Sequence, residues 1–157
     1  MITTSEPITE PATSTNMCRI RQLTKELTED HIACRIFFKL SPDLFCVIDD
    51  GGYFKMTNNV WATMLGWSTK EITSIPYVKF NHHDDVELTR KILRLLNNLD
   101  VVKFHNRYKR KPGTIDVAGQ VAGNDDYVSL EWNAISLNNG LIYAAARKCD
   151  YMDRSEI

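Results

Sequence analysis

The stretch LFCVIDDGGYFKMTN, Leu44 to Asn58, decides the fold. Two short apolar runs flank Asp49-Asp50-Gly51-Gly52, and glycine takes positive φ without steric cost. The pattern predicts strands over Leu44–Ile48 and Tyr53–Thr57 joined by a tight turn. Asn58 and Asn59 come next. An asparagine at a helix start accepts a hydrogen bond from a free backbone N–H, so this pair predicts a cap. The capped helix carries Val60, Trp61, Met64 and Leu65 and stops at Gly66.

On the C-terminal side, Ser68-Thr69-Lys70-Glu71 has capping-box spacing and opens a second short helix that ends before Pro76. YVKFNHHDD leads into a longer helix with Asp84 and Asp85 in its first turn, where the helix dipole favours negative charge. Leu88, Ile92, Leu95, Leu96 and Leu99 are expected to form its apolar face. VVKFHNRYKR then alternates. Val102, Phe104, Asn106 and Tyr108 share one strand face, and Lys103, His105, Arg107 and Lys109 share a solvated one. Strands over Tyr127–Ser136 and Leu141–Arg147 follow, joined by the turn signal Asn138-Asn139-Gly140. The link TIDVAGQVAGNDD, Thr114 to Asp126, is long for a strand connection and is expected to form a partly extended hairpin.

On the N-terminal side, residues 1–16 are rich in Thr, Ser, Pro and Glu and are expected to be a disordered tail. They have neither the basic start nor the apolar centre of a secretory signal. Residues 17–40 read as an amphipathic helix with Ile20, Leu23, Leu27, Cys34 and Phe38 in one stripe, ended by Ser41-Pro42-Asp43. Such a helix is marginal alone in water, so the stripe must pack on something. The outer face of the sheet is one candidate and the same helix of a second copy is another; the two are compatible in a two-fold dimer, and a homodimer is expected. The domain proper spans 41–150, with a tail over 151–157.

The 157 residues suffice for one domain, and 43% of them are hydrophobic. A net charge of −1 argues against nucleic acid or an anionic membrane as a bulk partner. No apolar run approaches the ~20 residues that span a bilayer. Cys18, Cys34, Cys46 and Cys149 lack CxxC spacing and read as reduced thiols of a cytoplasmic protein. No nucleophile elbow, phosphate loop or paired catalytic carboxylates are present. The element order is helix, two strands, short helices, three strands. This order gives an α+β fold in which five antiparallel strands carry helices on one face, with space for a small ligand between the layers.

From about Phe37 to Asp150 the chain resembles a PAS domain with a C-terminal PAC segment. The residues that carry the resemblance are FFKLSPDLFCVIDDGGYFKMTNNVWATMLGWSTKEI, YVKFNHHDD, FHNRYKRKPG, LEWNAI and GLIYAAAR, in that order. The resemblance implies strand order 2-1-5-4-3, a sensory or partner-binding role in signalling, and dimerisation through an N-terminal helix. The chain departs from the family pattern in places. His83 stands where relatives have proline, and Ala146-Arg147 is followed by Lys148-Cys149-Asp150 instead of the Asp-x-Thr that couples relatives to an output helix. With that motif changed and the sequence ending seven residues later, no output domain is expected here.

Within such a fold a ligand pocket would be lined by Met56, Trp61, Leu65, Tyr77, Leu88, Ile92, Phe104, Asn106, Tyr108 and Trp132. These large side chains equally suit a filled core. Asn106 interrupts an apolar stripe, so its amide needs a partner, either a backbone group or a bound molecule. Among the family's cofactors, haem and flavin stay open. The flavin–thiol adduct of LOV domains is argued against, because no cysteine lies between Cys46 and Cys149. His31, His82, His83 and His105 read as capping or surface residues before axial ligands. The expected function is a non-catalytic module that binds a small ligand or a signalling partner protein. The alternative is a metal-dependent hydrolase built on His82-His83-Asp84-Asp85, which needs further ligands from neighbouring helices.

Overall fold

The computed structural model describes residues 14–96 and 100–150. The elements in chain order are α1 (Ser14–Leu40), β1 (Leu44–Ile48), β2 (Phe54–Thr57), a π-helical turn (Trp61–Leu65), α2 (Thr69–Ser74), a 3-10 turn (Tyr77–Lys79), α3 (Val86–Arg94), β3 (Val102–Lys109), β4 (Tyr127–Ser136) and β5 (Ile142–Lys148). The chain divides into two units, one ending at Phe38 and one beginning at Lys39. The first is the helix α1. It starts three residues before the expected Met17, at Ser14, while the rest of the expected tail and the 151–157 tail lie outside the described residues.

The second unit is a five-stranded antiparallel sheet of order β2-β1-β5-β4-β3, as the resemblance implied. Its first hairpin has the anticipated turn. Asp49 Oδ1 accepts from the backbone N–H groups of Gly51 and Tyr53, and Gly52 takes φ 82. A β-bulge between Val47 and Ile48 shifts the pairing, so Ile48 faces Phe54 whereas Val47 faces Met56. This one-residue shift sends Met56 to the opposite face of the sheet from Phe54.

The Asn58 side chain reaches back to the strand before it. Its side-chain oxygen accepts from Phe45 N–H at 3.1 Å and its amide donates to the Asp43 carbonyl at 2.9 Å, so it braces the start of β1. The backbone carbonyls of Asn58 and Asn59 accept the first bonds of the following turn, which closes at Gly66, φ 84. The Ser68–Glu71 capping box is formed in both directions. One face of the sheet carries the core of Leu44, Cys46, Ile48, Phe104, Tyr108, Leu130 and Trp132, against which Trp61, Leu65, Ile72, Tyr77 and Phe80 pack.

The α3 face differs from expectation. Thr89 is buried and Ile92, Leu93 and Leu96 are partly buried, which is an i, i+3, i+4, i+7 stripe. Leu88 and Leu95 are exposed, and Leu99 lies outside the described residues. The Thr114–Asp126 link does not lengthen β3 and β4. It folds on itself through one bridge, Ile115 with Val121, and Ala122 is buried. Among the described residues, no helix is long and apolar enough to cross a membrane.

Candidate functional site

Asn106 sits on β3 opposite Leu130, one residue pair from Trp132 on the same face. Its Oδ1 accepts from Trp132 Nε1 at 2.6 Å and its Nδ2 donates to Thr89 Oγ1 on α3 at 3.2 Å. The partners of this buried amide are therefore two side chains. They tie α3 to the sheet where a purely apolar contact would leave the helix free to rotate. This bond also explains why α3 turns Thr89 inward and Leu88 outward.

The neighbouring aromatics close the interior. Phe104 and Trp132 stack with interplanar angle 9° and centroids 6.1 Å apart, and Tyr108 lies 5.5 Å from Trp132 and 5.9 Å from Trp61. Trp61 Nε1 donates to the Phe45 carbonyl at 3.0 Å. The space left among Ile48, Thr89, Leu93, Phe104, Asn106, Tyr108, Trp132 and Ala144 is about 10 Å³, room for about one water.

Of the residues expected to line a pocket, Trp61, Leu65, Tyr77, Phe104, Asn106, Tyr108 and Trp132 are buried and Ile92 is half-buried. Two stand apart. Met56 is 50% exposed, sent outward by the bulge, and Leu88 is 51% exposed, sent outward by the Thr89–Asn106 bond. Burial pushes the Tyr108 hydroxyl and the Cys46 thiol well above their ordinary pKa values, so both stay neutral.

The His82–Asp85 run divides in two. Asp85 is buried, and its carboxylate accepts from the backbone N–H, Nε and a terminal nitrogen of Arg107 at 2.9, 2.9 and 3.1 Å. It locks the start of α3 to β3. His82, His83 and Asp84 have ligand atoms within 4.8 Å of one another. His82 Nδ1 already accepts from the Asp84 N–H at 3.1 Å, and its ring stacks on His83 and meets Tyr127 edge-on. Among the described residues no other His, Cys, Asp or Glu joins this cluster, so the hydrolase reading has no support. His105 lies 3.4 Å from Glu131, which also pairs with Lys103. The Lys103 ammonium, with His105 behind it, holds the Glu131 carboxyl below its usual range.

The sequence reading missed a second concavity. The β1–β2 turn, Pro76–Val78, the second half of α3 and the β4–β5 turn surround an open cleft of about 550 Å³. Its walls come from four separate segments. The visible signal was Arg90-x-x-x-Arg94, whose spacing places both cations on one side of a helix.

No family model matches the chain, and no curated protein matches its sequence. Solved structures do match its shape. The PAS domain of an HTR-like protein from Haloarcula marismortui is 20% identical with TM-score 0.61, over 82% of this chain and 99% of that one. A domain of a sensory box sensor histidine kinase/response regulator from Geobacter sulfurreducens is 17% identical with TM-score 0.56, over 77% of this chain and 96% of that one. A LOV protein from Rhodobacter sphaeroides is 12% identical with TM-score 0.57, over 82% of this chain and 72% of that one. The chain has the PAS fold.

Proposed function

We propose that this chain is a signalling module with no catalysis of its own, a PAS-fold domain that responds to a small ligand or a partner protein and dimerises through α1. A cytoplasmic setting with reduced thiols fits its unpaired cysteines. The observation that carries the reading is the apolar surface of α1. Ile20, Leu23 and Leu27 are exposed, at 54%, 50% and 69%. Cys34 continues the stripe exposed, and Phe38 ends it half-buried. Ile32, Ile36, Phe37 and Leu40 add further exposed apolar surface toward the helix end. A 27-residue helix with this much apolar surface needs a partner, and a two-fold dimer lets one patch serve both copies. The space of about 10 Å³ among Asn106, Trp132 and their neighbours supports surface contacts over a ligand enclosed there as the means of response. Sensor proteins among the structural neighbours support the signalling role.

Sedimentation velocity on the full chain tests the assembly. The expected result is a dimer at micromolar concentration for the parent and a monomer for Leu23→Glu/Leu27→Glu. A monomeric parent, or a variant that remains dimeric, overturns the α1 interface.

A further inference from the structure

The open cleft beside α3 has an arrangement of charge that the signalling reading does not use. Arg90, Leu93 and Arg94 are spaced i, i+3, i+4, so one side of α3 brings two guanidinium groups and an apolar side chain to the cleft. The β1–β2 turn brings Asp49 and Asp50. Opposite charges that share a concavity ordinarily close on each other. Here, among the described residues, no arginine nitrogen of this cleft lies within 4.0 Å of an Asp49 or Asp50 carboxylate oxygen.

The turn explains why. Asp49 Oδ1 is held by the N–H groups of Gly51 and Tyr53, and Gly52 is tied through its carbonyl to the Tyr77 N–H at 2.8 Å. The Asp49 carboxylate and the backbone of the turn are therefore fixed by hydrogen bonds. On the basic wall, Arg90 bonds Glu87 at 3.0 Å and lies beside the Tyr77 hydroxyl, while Arg94 has no ion-pair partner among the described residues. Arg90 is already paired with Glu87, so Arg94 is the cleft cation without an ion-pair partner among the described residues, and it faces the acidic turn. A cation on one wall and carboxylates on the other suit a molecule that itself carries both charges. Ile48, Leu93 and Ile142 supply apolar surface in the same cleft. Its volume of about 550 Å³ falls within the ~300–1,000 Å³ of small-molecule sites.

We propose that this cleft binds a free α-amino acid with an apolar side chain, its carboxylate on Arg94 and Arg90, its ammonium toward Asp50 and Asp49, and its side chain on Ile48, Leu93 and Ile142. This names the ligand of the ligand-responsive module proposed above and rests on that reading. Guanidinium–carboxylate pairing is bidentate and charge-assisted, which makes the carboxylate the anchoring group. An amino acid lacking either charge leaves one wall of the cleft unmatched.

The test is a titration of the isotopically labelled full chain with L-leucine, followed by amide chemical shifts. Saturable shifts are expected at Gly51, Gly52 and Arg94. N-acetyl-leucine, which lacks the ammonium, and leucinamide, which lacks the carboxylate, are expected to bind at least about tenfold more weakly. Arg94→Gln and Asp50→Asn, both at exposed positions, are expected to weaken leucine by a similar factor and leave the melting temperature unchanged. The proposal is overturned if leucine produces no shifts at these amides, if N-acetyl-leucine binds as well as leucine, or if both variants bind like the parent. Shifts confined to Phe104 and Trp132 also overturn the cleft but retain a ligand-responsive module. Sedimentation of the α1 variant reports on that module separately.

Discussion

Trp132 shows how one residue can carry two kinds of stabilisation. Its ring fills the interior between Phe104 and Tyr108, and its N–H satisfies Asn106. Trp132→Ala should cost ~3–5 kcal/mol, because it opens a cavity and orphans a buried carbonyl oxygen. Met56→Ala, on the exposed side, should stay within ~0.5 kcal/mol. Urea denaturation of both variants checks the contrast, and equal costs would mean that the bulge does not turn Met56 outward. His82 makes a pH prediction. Burial, then the Arg107 and His83 charges, hold its pKa below the ordinary value of about 6.5. The unfolded chain thus takes up a proton that the folded chain resists. Stability is full above that ordinary value and falls as pH drops through it, levelling off below the folded value. The urea midpoint should decline from pH 8 toward pH 5, and His82→Gln should flatten the decline. An unchanged slope in that variant would assign the dependence to other groups.

At the scale of elements, the β3–β4 connection is the instructive case. Its length is plain in the sequence, but its docking is not. Lys111 N–H donates to the Leu65 carbonyl at 2.7 Å, Lys111 Nζ pairs with Glu71, and Thr114 lies against Gly66. A Cβ at Gly66 would overlap Thr114 Oγ1, and φ 84 there also disfavours an L side chain. Gly66→Ala should therefore destabilise by more than ~1 kcal/mol, with partial recovery in Gly66→Ala/Thr114→Gly. Thermal melts of the two variants decide it, and absence of recovery would detach the loop from this site. The tip behaves differently. Ile115, Val117 and Val121 are exposed, whereas Ala122 is buried. Shortening the tip between Ile115 and Val121 should preserve cooperative unfolding, whereas removing Ala122 as well should not. The α3 face carries the same lesson. Apolar spacing alone favours Leu88 and Leu95, yet a buried threonine with a buried asparagine partner turns the helix to the Thr89 side.

For the whole molecule, the proposed α1 interface makes a prediction about concentration. The proposed pairing of α1 links stability to protein concentration. Raising the protein concentration tenfold should raise the melting temperature of the parent and leave Leu23→Glu/Leu27→Glu unmoved. A concentration-independent parent would argue that α1 needs no second copy. The sheet and its covering helices should hold their own cooperative transition in that variant, because their core lies within the unit that begins at Lys39.

Legible along the chain were the element order, the hairpin turn at Asp49–Gly52, the capping box, the inward stripe of β3 and, through whole-domain resemblance, the strand order. Each of these rests on local periodicity or on turn chemistry that a few consecutive residues specify. What Asn58, Asp85 and Asn106 bind, which way α3 turns, that Met56 faces outward, and that about 10 Å³ is left beside Asn106 and Trp132 emerge only in three dimensions. The partners of those polar groups lie 13, 22 and 26 residues away, and the bulge changes register by a single residue. Such choices depend on which distant groups arrive together when the sheet closes, and no spacing along the chain encodes that meeting.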